Sequence, residues 1–338
     1  MSSVVCTNYP WQIPDYAEQA LARLHAGRYS SLAHFEIYGR AHEASTYIAS
    51  RHGVATTLLL HRRDGPVVRV LNEGIPLSEE EVRRFAGHML QGAKPPGVVL
   101  FRAIAMDAAS GGGLLQRVEC EQDSVLTLPA SVDGYHQLLG NNTRQLLRNR
   151  MSKLKREHPS FHFQISEGEQ IDPQHVQAIF ALHRARMAVK RGGTMLDTAE
   201  EQRVLRMVNR CGMVGVINID GICRAGSICY RNGDVVSARF LAHDPDYDLY
   251  RIGFLCAYLM CTACVERDGI RQFNFGWGEE QYKTRLGGQP RILCDVAVYR
   301  NWTQRLRLAP LGLRLTWQGL AFRLRNQLRA MKRRWSKR

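Results

Sequence analysis

The segment Asp234–Gly288 reads DVVSARFLAH (234–243), DPDYDLYRI (244–252), GFLCAYLMCTACVERDGI (253–270), RQFNF (271–275) and GWGEEQYKTRLGG (276–288). The first piece has the length and β-branched content of a strand, and the second is rich in turn residues. Gly253 opens an apolar helix over Phe254–Arg267, Arg271–Phe275 is a second strand, and Gly276–Gly288 is a glycine-punctuated loop. Strand, helix and strand make a βαβ unit. The N-terminus of its helix exposes N–H groups that lack intrahelical partners, at the positive end of the helix dipole, so the place suits a phosphate.

Outward from this unit, Met213–Ile219 and Ile222–Tyr230 form a hairpin on the Asp220-Gly221 turn, and Ile292–Tyr299 is a last strand. Further upstream lie helices over Gln174–Lys190 and Thr198–Arg210, the first ended by Arg191-Gly192-Gly193, and a strand over Phe161–Ser166. Val132–Glu157 is a long basic helix, broken near Gly140. Leu138, Leu146, Leu147, Met151 and Leu154 form its apolar stripe, and Arg144, Arg148, Arg150, Lys153, Lys155 and Arg156 cover the rest.

The first 131 residues form a mixed unit of their own. Asp15–His25 is a short amphipathic helix, and Ser31–Ser50 fits helix or strand equally. Val54–Arg62 and Val67–Asn72 pair through a turn at Arg63–Pro66. Ser78 and Glu81 make a capping box for a helix over Glu79–Leu90. Strands follow at Val98–Ala105 and Arg117–Leu128. Gly111–Gly113 reads as a plain loop, because no helix follows it to hold a phosphate. The fold class is therefore α/β with mixed α+β sheets, divided as 1–131, 132–300 and a tail, 301–338.

The net charge of +15 is concentrated in that tail. No Asp or Glu follows Asp295, and residues 296–338 hold 12 Lys and Arg, while the rest of the chain carries 34 basic and 31 acidic residues. In the tail Leu313, Trp317, Leu320, Leu324, Leu328, Met331 and Trp335 recur at steps of three or four among arginines, making a basic amphipathic helix. Such a helix can dock on the body, lie on an anionic membrane or contact RNA. The chain has neither a membrane-length apolar run nor a signal-like N-terminus, so a cytoplasmic location is expected, peripheral to the inner membrane if the tail binds lipid. Nine scattered cysteines read as reduced thiols. Cys261-x-x-Cys264 lies mid-helix and lacks the second pair that a zinc site needs, so no metal is expected.

Three pieces together resemble the CelD-like (BioF2-like) branch of the GNAT superfamily, which is related to the FemABX transferases. They are SVLTLPASVDGYHQLLGNNTRQLLRNRMSKLKRE (124–157), GMVGVINIDGICRAGSICYRNGDVVSARFLAHDPDY (212–247) and GIRQFNFGWGEEQYKTRLGG (269–288). The resemblance implies tandem GNAT-like halves. It also implies an acyltransferase that moves an acyl group from acetyl-CoA or another acyl-CoA to an amine, in a cell-surface polysaccharide or secondary-metabolite pathway. The acceptor would be a small molecule or glycan precursor. Tyr250, Arg251, Ile252 and Gly253 stand where the family's pyrophosphate loop lies, although only Arg251 and Gly253 match its pattern, at the wrong separation. Lys283, beside Tyr282, stands where the family's Tyr-Lys pair would meet a substrate anion.

Transfer to an amine requires a base, an oxyanion donor and a proton for the leaving group. His243 and Glu279 are candidate bases, and Tyr282, with Tyr250 behind it, is the candidate acid. Asp244, Glu280, Lys283 and Arg148 are candidate substrate contacts. Two other classes compete. One is a FemX-like transferase that takes its acyl group from aminoacyl-tRNA, the one nucleic acid this reading admits. The other is a non-catalytic adaptor that binds anionic membrane or nucleic acid through residues 313–338.

Overall fold

The computed structural model describes residues 4–107, 113–189 and 196–335. The first half runs β1 (Val5–Tyr9), α1 (Ala17–Leu24), α2 (Leu32–Ile37), β2 (Ser45–Arg51), β3 (Val54–Asp64), β4 (Val67–Val70), α3 (Glu79–Met89) and β5 (Val98–Ile104). A long strand, β6 (Leu115–Thr127), leads through α4 (Val132–Leu138) and α5 (Asn141–Glu157) into the second half. There follow β7 (His162–Glu167), α6 (Pro173–Val189), α7 (Thr198–Cys211), β8 (Gly212–Ile219), β9 (Ile222–Asn232), β10 (Val235–His243), α8 (Ile252–Val265), β11 (Gln272–Trp277), α9 (Gln281–Arg285) and β12 (Gln289–Tyr299). The chain closes with α10 (Trp302–Arg307) and α11 (Ala309–Trp335).

The described strands form one 12-stranded sheet, in the order β1-β2-β3-β4-β5-β12-β6-β11-β10-β9-β8-β7. The order is a repeat. Each half has four antiparallel strands, a helix, and a fifth strand parallel to the fourth: β4 with β5, and β10 with β11. Each half then exchanges its last strand. β12 runs beside β5 of the first half, and β6 beside β11 of the second, while β6 and β12 pair with each other at the centre. The two halves are thus stitched into one sheet instead of meeting at a linker.

Local chemistry explains most element ends. Ser78 Oγ accepts from the Glu81 N–H at 3.2 Å and Glu81 Oε2 accepts from the Ser78 N–H at 2.9 Å, the reciprocal cap that starts α3. Gly140 separates α4 from α5. Ser31–Ser50 resolves into both alternatives, helix α2 and then strand β2. No strand was expected at Val5–Tyr9, nor a helix at Gln281–Arg285; both are present and only five residues long. The Gly111–Gly113 loop and the Arg191-Gly192-Gly193 helix stop lie wholly or largely outside the described residues.

In the second half α4, α5 and α8 cover one core and α6 with α7 another. Cys256, Cys261 and Cys264 are fully buried in α8, and burial pushes their thiols up, so they act as small apolar side chains. Among the described residues no group of His, Cys, Asp or Glu is placed to hold a metal ion, and no helix is long and apolar enough to cross a membrane.

Candidate active site

The parallel ladder between β10 and β11 is short. It pairs Val235–Ser237 with Gln272–Asn274 and then ends. β10 stays with β9 as far as His243, through a bulge between Ala238 and Phe240, while β11 follows β6, with its own irregularity between Asn274 and Trp277. The strands therefore part. Gly276 and Gly278, at φ 78° and 95°, carry β11 away in a conformation that side chains disfavour. From Ala238 onward the backbone groups of β10 that face the gap have no ladder partner. They are available as donors to an oxyanion.

Two hollows meet at this gap, of about 250 Å³ and 280 Å³. The smaller is lined by Arg28, Arg186, Arg239, Glu280, Tyr282 and Lys283, the larger by Glu73, Asp123, Asp234, Asn274 and Arg291. Tyr29 of the first half and Trp277 of the second stand between them with ring centroids 4.7 Å apart. The site is consequently built by both halves.

Its charge is positive where the arginines gather. Arg28 lies over the Tyr29 ring at 4.1 Å. Burial, then repulsion from Arg239, pulls its guanidinium down to about 10, still charged at neutral pH. Arg239 donates to Glu200 at 2.7 Å. Burial alone would raise that carboxyl, but bonds from Arg239, Tyr38 and Arg203 outweigh it and hold Glu200 below its usual range. Arg186 Nε is buried with no hydrogen-bond partner among the described residues. A buried guanidinium donor left open, beside two further guanidiniums, favours a carboxylate or phosphate as the missing partner. Burial and the neighbouring Glu280 raise the Tyr282 hydroxyl, so it stays protonated and can donate.

Lys283, expected to meet a substrate anion, has its ammonium engaged by the protein itself. It is 1% exposed, and its ammonium donates to the carbonyls of Gly276, Trp277 and Gly278 at 3.1, 2.7 and 3.0 Å, with Glu280 Oε2 at 2.7 Å. Three N–H bonds already serve four acceptors, so none remains for a ligand. Lys283 is the clasp that holds the glycine turn open.

Most of the other sequence candidates lie elsewhere. His243 ends β10 but sits on the N-terminus of α8, with Nε2 2.8 Å from Asp248 Oδ1 and Nδ1 buried without a partner. A Cβ on Gly253 would come within 2.5 Å of His243 Nδ1, which explains the glycine. Asp244 is engaged by Arg224 at 2.8 Å and also accepts from the Asp246 N–H at 3.1 Å. Tyr250 turns inward and donates to Glu157 at 2.7 Å. Arg251 is exposed at φ 53° and caps α8 without a side-chain bond. The N–H groups of Ile252 and Gly253, in the first turn of α8, precede the first intrahelical bond. Asp244 caps the preceding 3-10 turn, Pro245–Tyr250, and Asp248 bonds His243, while the first turn of α8 itself carries no acidic residue. Glu279 lines a separate surface hollow with Gln122, Thr284 and Arg285. Arg148 borders a groove of about 820 Å³ with Arg144 and Lys155, floored by Leu147, Met151 and Leu259. Only Glu280, Tyr282 and Lys283 reach the gap. The three arginines there escaped the sequence reading. Their one visible trace was Arg239, a charge inside the otherwise apolar strand VVSARFLAH.

A family model described as an acetyltransferase (GNAT) domain matches residues 141–284, from α5 into α9. The fold is tandem GNAT-like. Solved structures with this architecture include FemX, at 9% identity and a TM-score of 0.64 over 89% of this chain and 99% of that one. L-PGS from Bacillus licheniformis is similar at 13% identity and a TM-score of 0.52, over 91% and 98% of the two chains. A conserved protein of unknown function from Bacteroides thetaiotaomicron VPI-5482 gives 10% identity and a TM-score of 0.55, over 85% and 98%. No curated relative matches the chain by sequence. At such identities the structural likeness speaks for the fold alone.

Proposed function

We propose that the chain is an N-acyltransferase of the CelD-like (BioF2-like) kind that works at the β10–β11 gap on an anionic substrate. The observation that carries this is the open gap, with unpaired β10 backbone groups on one side and Arg28, Arg186, Arg239 and Tyr282 around it. In this reading the amine nitrogen attacks the acyl carbon and Glu280 takes the amine proton through water. β10 N–H groups hold the oxyanion. The bond to the leaving sulfur or oxygen then breaks, and Tyr282 supplies its proton. The arginines fix a carboxylate or phosphate of one substrate, which orients the reacting atoms. The division at 131 and 300 then has a functional sense, since residues 1–131 supply Arg28 and Tyr29.

The donor is an acyl-CoA in the first reading, with the Ile252 and Gly253 N–H groups and Arg251 as its phosphate contacts. The incomplete pyrophosphate pattern, matched only by Arg251 and Gly253, favours a second reading, in which the acyl group arrives on aminoacyl-tRNA as in a FemX-like transferase. A thermal-shift titration separates the two. Acyl-CoA at a hundredfold its Kd adds about 2.7 kcal/mol of stability, and Arg251→Ala weakens the response. No response to acyl-CoA, with binding of aminoacyl-tRNA, selects the second.

The common core is tested by Arg186→Gln. Loss of a charged contact to the substrate lowers kcat/KM by about thirty- to a hundredfold, equivalent to roughly 2–3 kcal/mol, with the melting temperature unchanged. Unaltered transfer from every productive donor would remove the arginine cluster from the mechanism.

A further inference from the structure

The tail helix docks, but by a different face from the one its apolar stripe marks. Leu315 and Phe322 are buried at 2% and 5% exposure, and Gly319 lies so close to β6 that a Cβ there would be 2.1 Å from Val118 Cγ1. Gln116 donates to the Gly312 carbonyl at 2.9 Å and Arg323 to Glu119 at 3.1 Å. These contacts fix α11 on the body.

The stripe Leu313, Trp317, Leu320, Leu324, Leu328 and Met331 is left in solvent, with Leu313 71% and Trp317 72% exposed. At 100° per residue the two apolar faces lie roughly 180° apart on the helix. The outer stripe supplies no buried side chain and is too long and continuous for chance exposure. Exposed Arg314 and Arg325 flank it on one side, exposed Arg329 stands further round the helix, and Trp302 and Leu306 of the neighbouring α10 are exposed as well.

We infer that the outer face of α11 is a docking surface for an anionic lipid bilayer, on which the chain rests with the helix in the interfacial plane. Charge decides between a bilayer and a second copy of this chain. No acidic residue follows Asp295, so two such faces brought together would oppose arginine to arginine with no carboxylate from the helices to offset them. An anionic surface satisfies the arginines, and tryptophan and leucine suit the boundary between head groups and acyl chains. The inference is independent of the acyl-transfer reading, since no residue of the gap takes part.

The test is flotation of the full chain with vesicles of phosphatidylcholine alone and of phosphatidylcholine with phosphatidylglycerol. Binding is expected only to the anionic vesicles, weakened by salt. Arg314→Gln/Arg325→Gln/Arg329→Gln lowers the partition coefficient about a hundredfold, at roughly fivefold per arginine. Trp317→Gln/Leu320→Gln/Leu324→Gln lowers it at least about tenfold while melting temperature and circular dichroism stay unchanged, because none of these side chains is buried. Absence of flotation overturns the inference. So does a concentration-dependent dimer in sedimentation velocity that the Trp317 triple variant abolishes, since the face then serves a second copy. Binding of tRNA that needs the arginines but not the apolar stripe, without vesicle binding, overturns it in favour of nucleic acid.

Discussion

Lys283→Met lowers the free energy of unfolding by about 3–5 kcal/mol and abolishes transfer. The ammonium of Lys283 is the common donor to three consecutive backbone carbonyls and one carboxylate. Methionine fills the space of the stem but leaves the carbonyls of Gly276, Trp277 and Gly278 without their donor, in a turn whose two glycines already sit at positive φ. Breaking a buried charged network by removing one partner costs that much because the other members stay desolvated. Lys283→Arg does not restore stability, since a planar guanidinium cannot point at three carbonyls gathered around one nitrogen. Urea unfolding of the three proteins measures the effect. A Lys283→Met variant within about 1 kcal/mol of the parent would show that the turn holds without its clasp.

The second large effect is acid lability above the carboxylate range. His25, His34 and His61 are each at most 5% exposed. Burial holds their imidazoles down, to about 4 for His25 and His61 and about 3 for His34, where Arg28, Arg40 and Arg239 add repulsion. A folded value below the unfolded one means that the unfolded chain binds more protons below pH 6.5. The stabilisation is therefore complete above pH 6.5 and is lost as pH falls toward 4. By pH 5 each histidine accounts for roughly 2 kcal/mol. Urea midpoints measured at pH 7.5 and 5 report the loss before Glu81 and Glu200, which titrate lower, contribute. His34→Leu removes its share of the slope. A midpoint that does not move between these two pH values would count against neutral burial of the three rings.

How far the sequence foretold this molecule follows from the range of each interaction. The capping box at Ser78 and Glu81, the turn at Asp220-Gly221 and the break at Gly140 were legible, because each is a local rule acting within a few residues. The strand exchange of β6 and β12 was not, since their pairing joins residues such as Val118 and Asp295 that share no local signal. The site divides in the same way. Glu280 and Tyr282 flank the glycine turn and could be named from it, whereas Arg28 and Arg186 reach the gap from α-helical and loop segments far away in the chain. His243 was placed on the correct strand, yet the side toward which it turns depends on Gly253 and Asp248. The apolar stripe of the tail was visible too, but its partner was not, because Leu315 and Phe322 lie on the opposite face and make the contact instead.

The exchanged strands also set the order in which this protein can be made. When the ribosome has completed β5 and β6, β5 is paired only on its β4 side and β6 has neither neighbour, because β12 must lie against both and β11 against β6. The N-terminal half therefore waits with naked β edges on both strands until almost the whole chain has emerged. Such edges pair with whatever strand they meet. Late closure over so many residues makes folding slow and dependent on long-range encounters. A chain interrupted anywhere before Tyr299 would leave that seam open, and a nascent-chain assay should find the halves protease-sensitive until β12 is released.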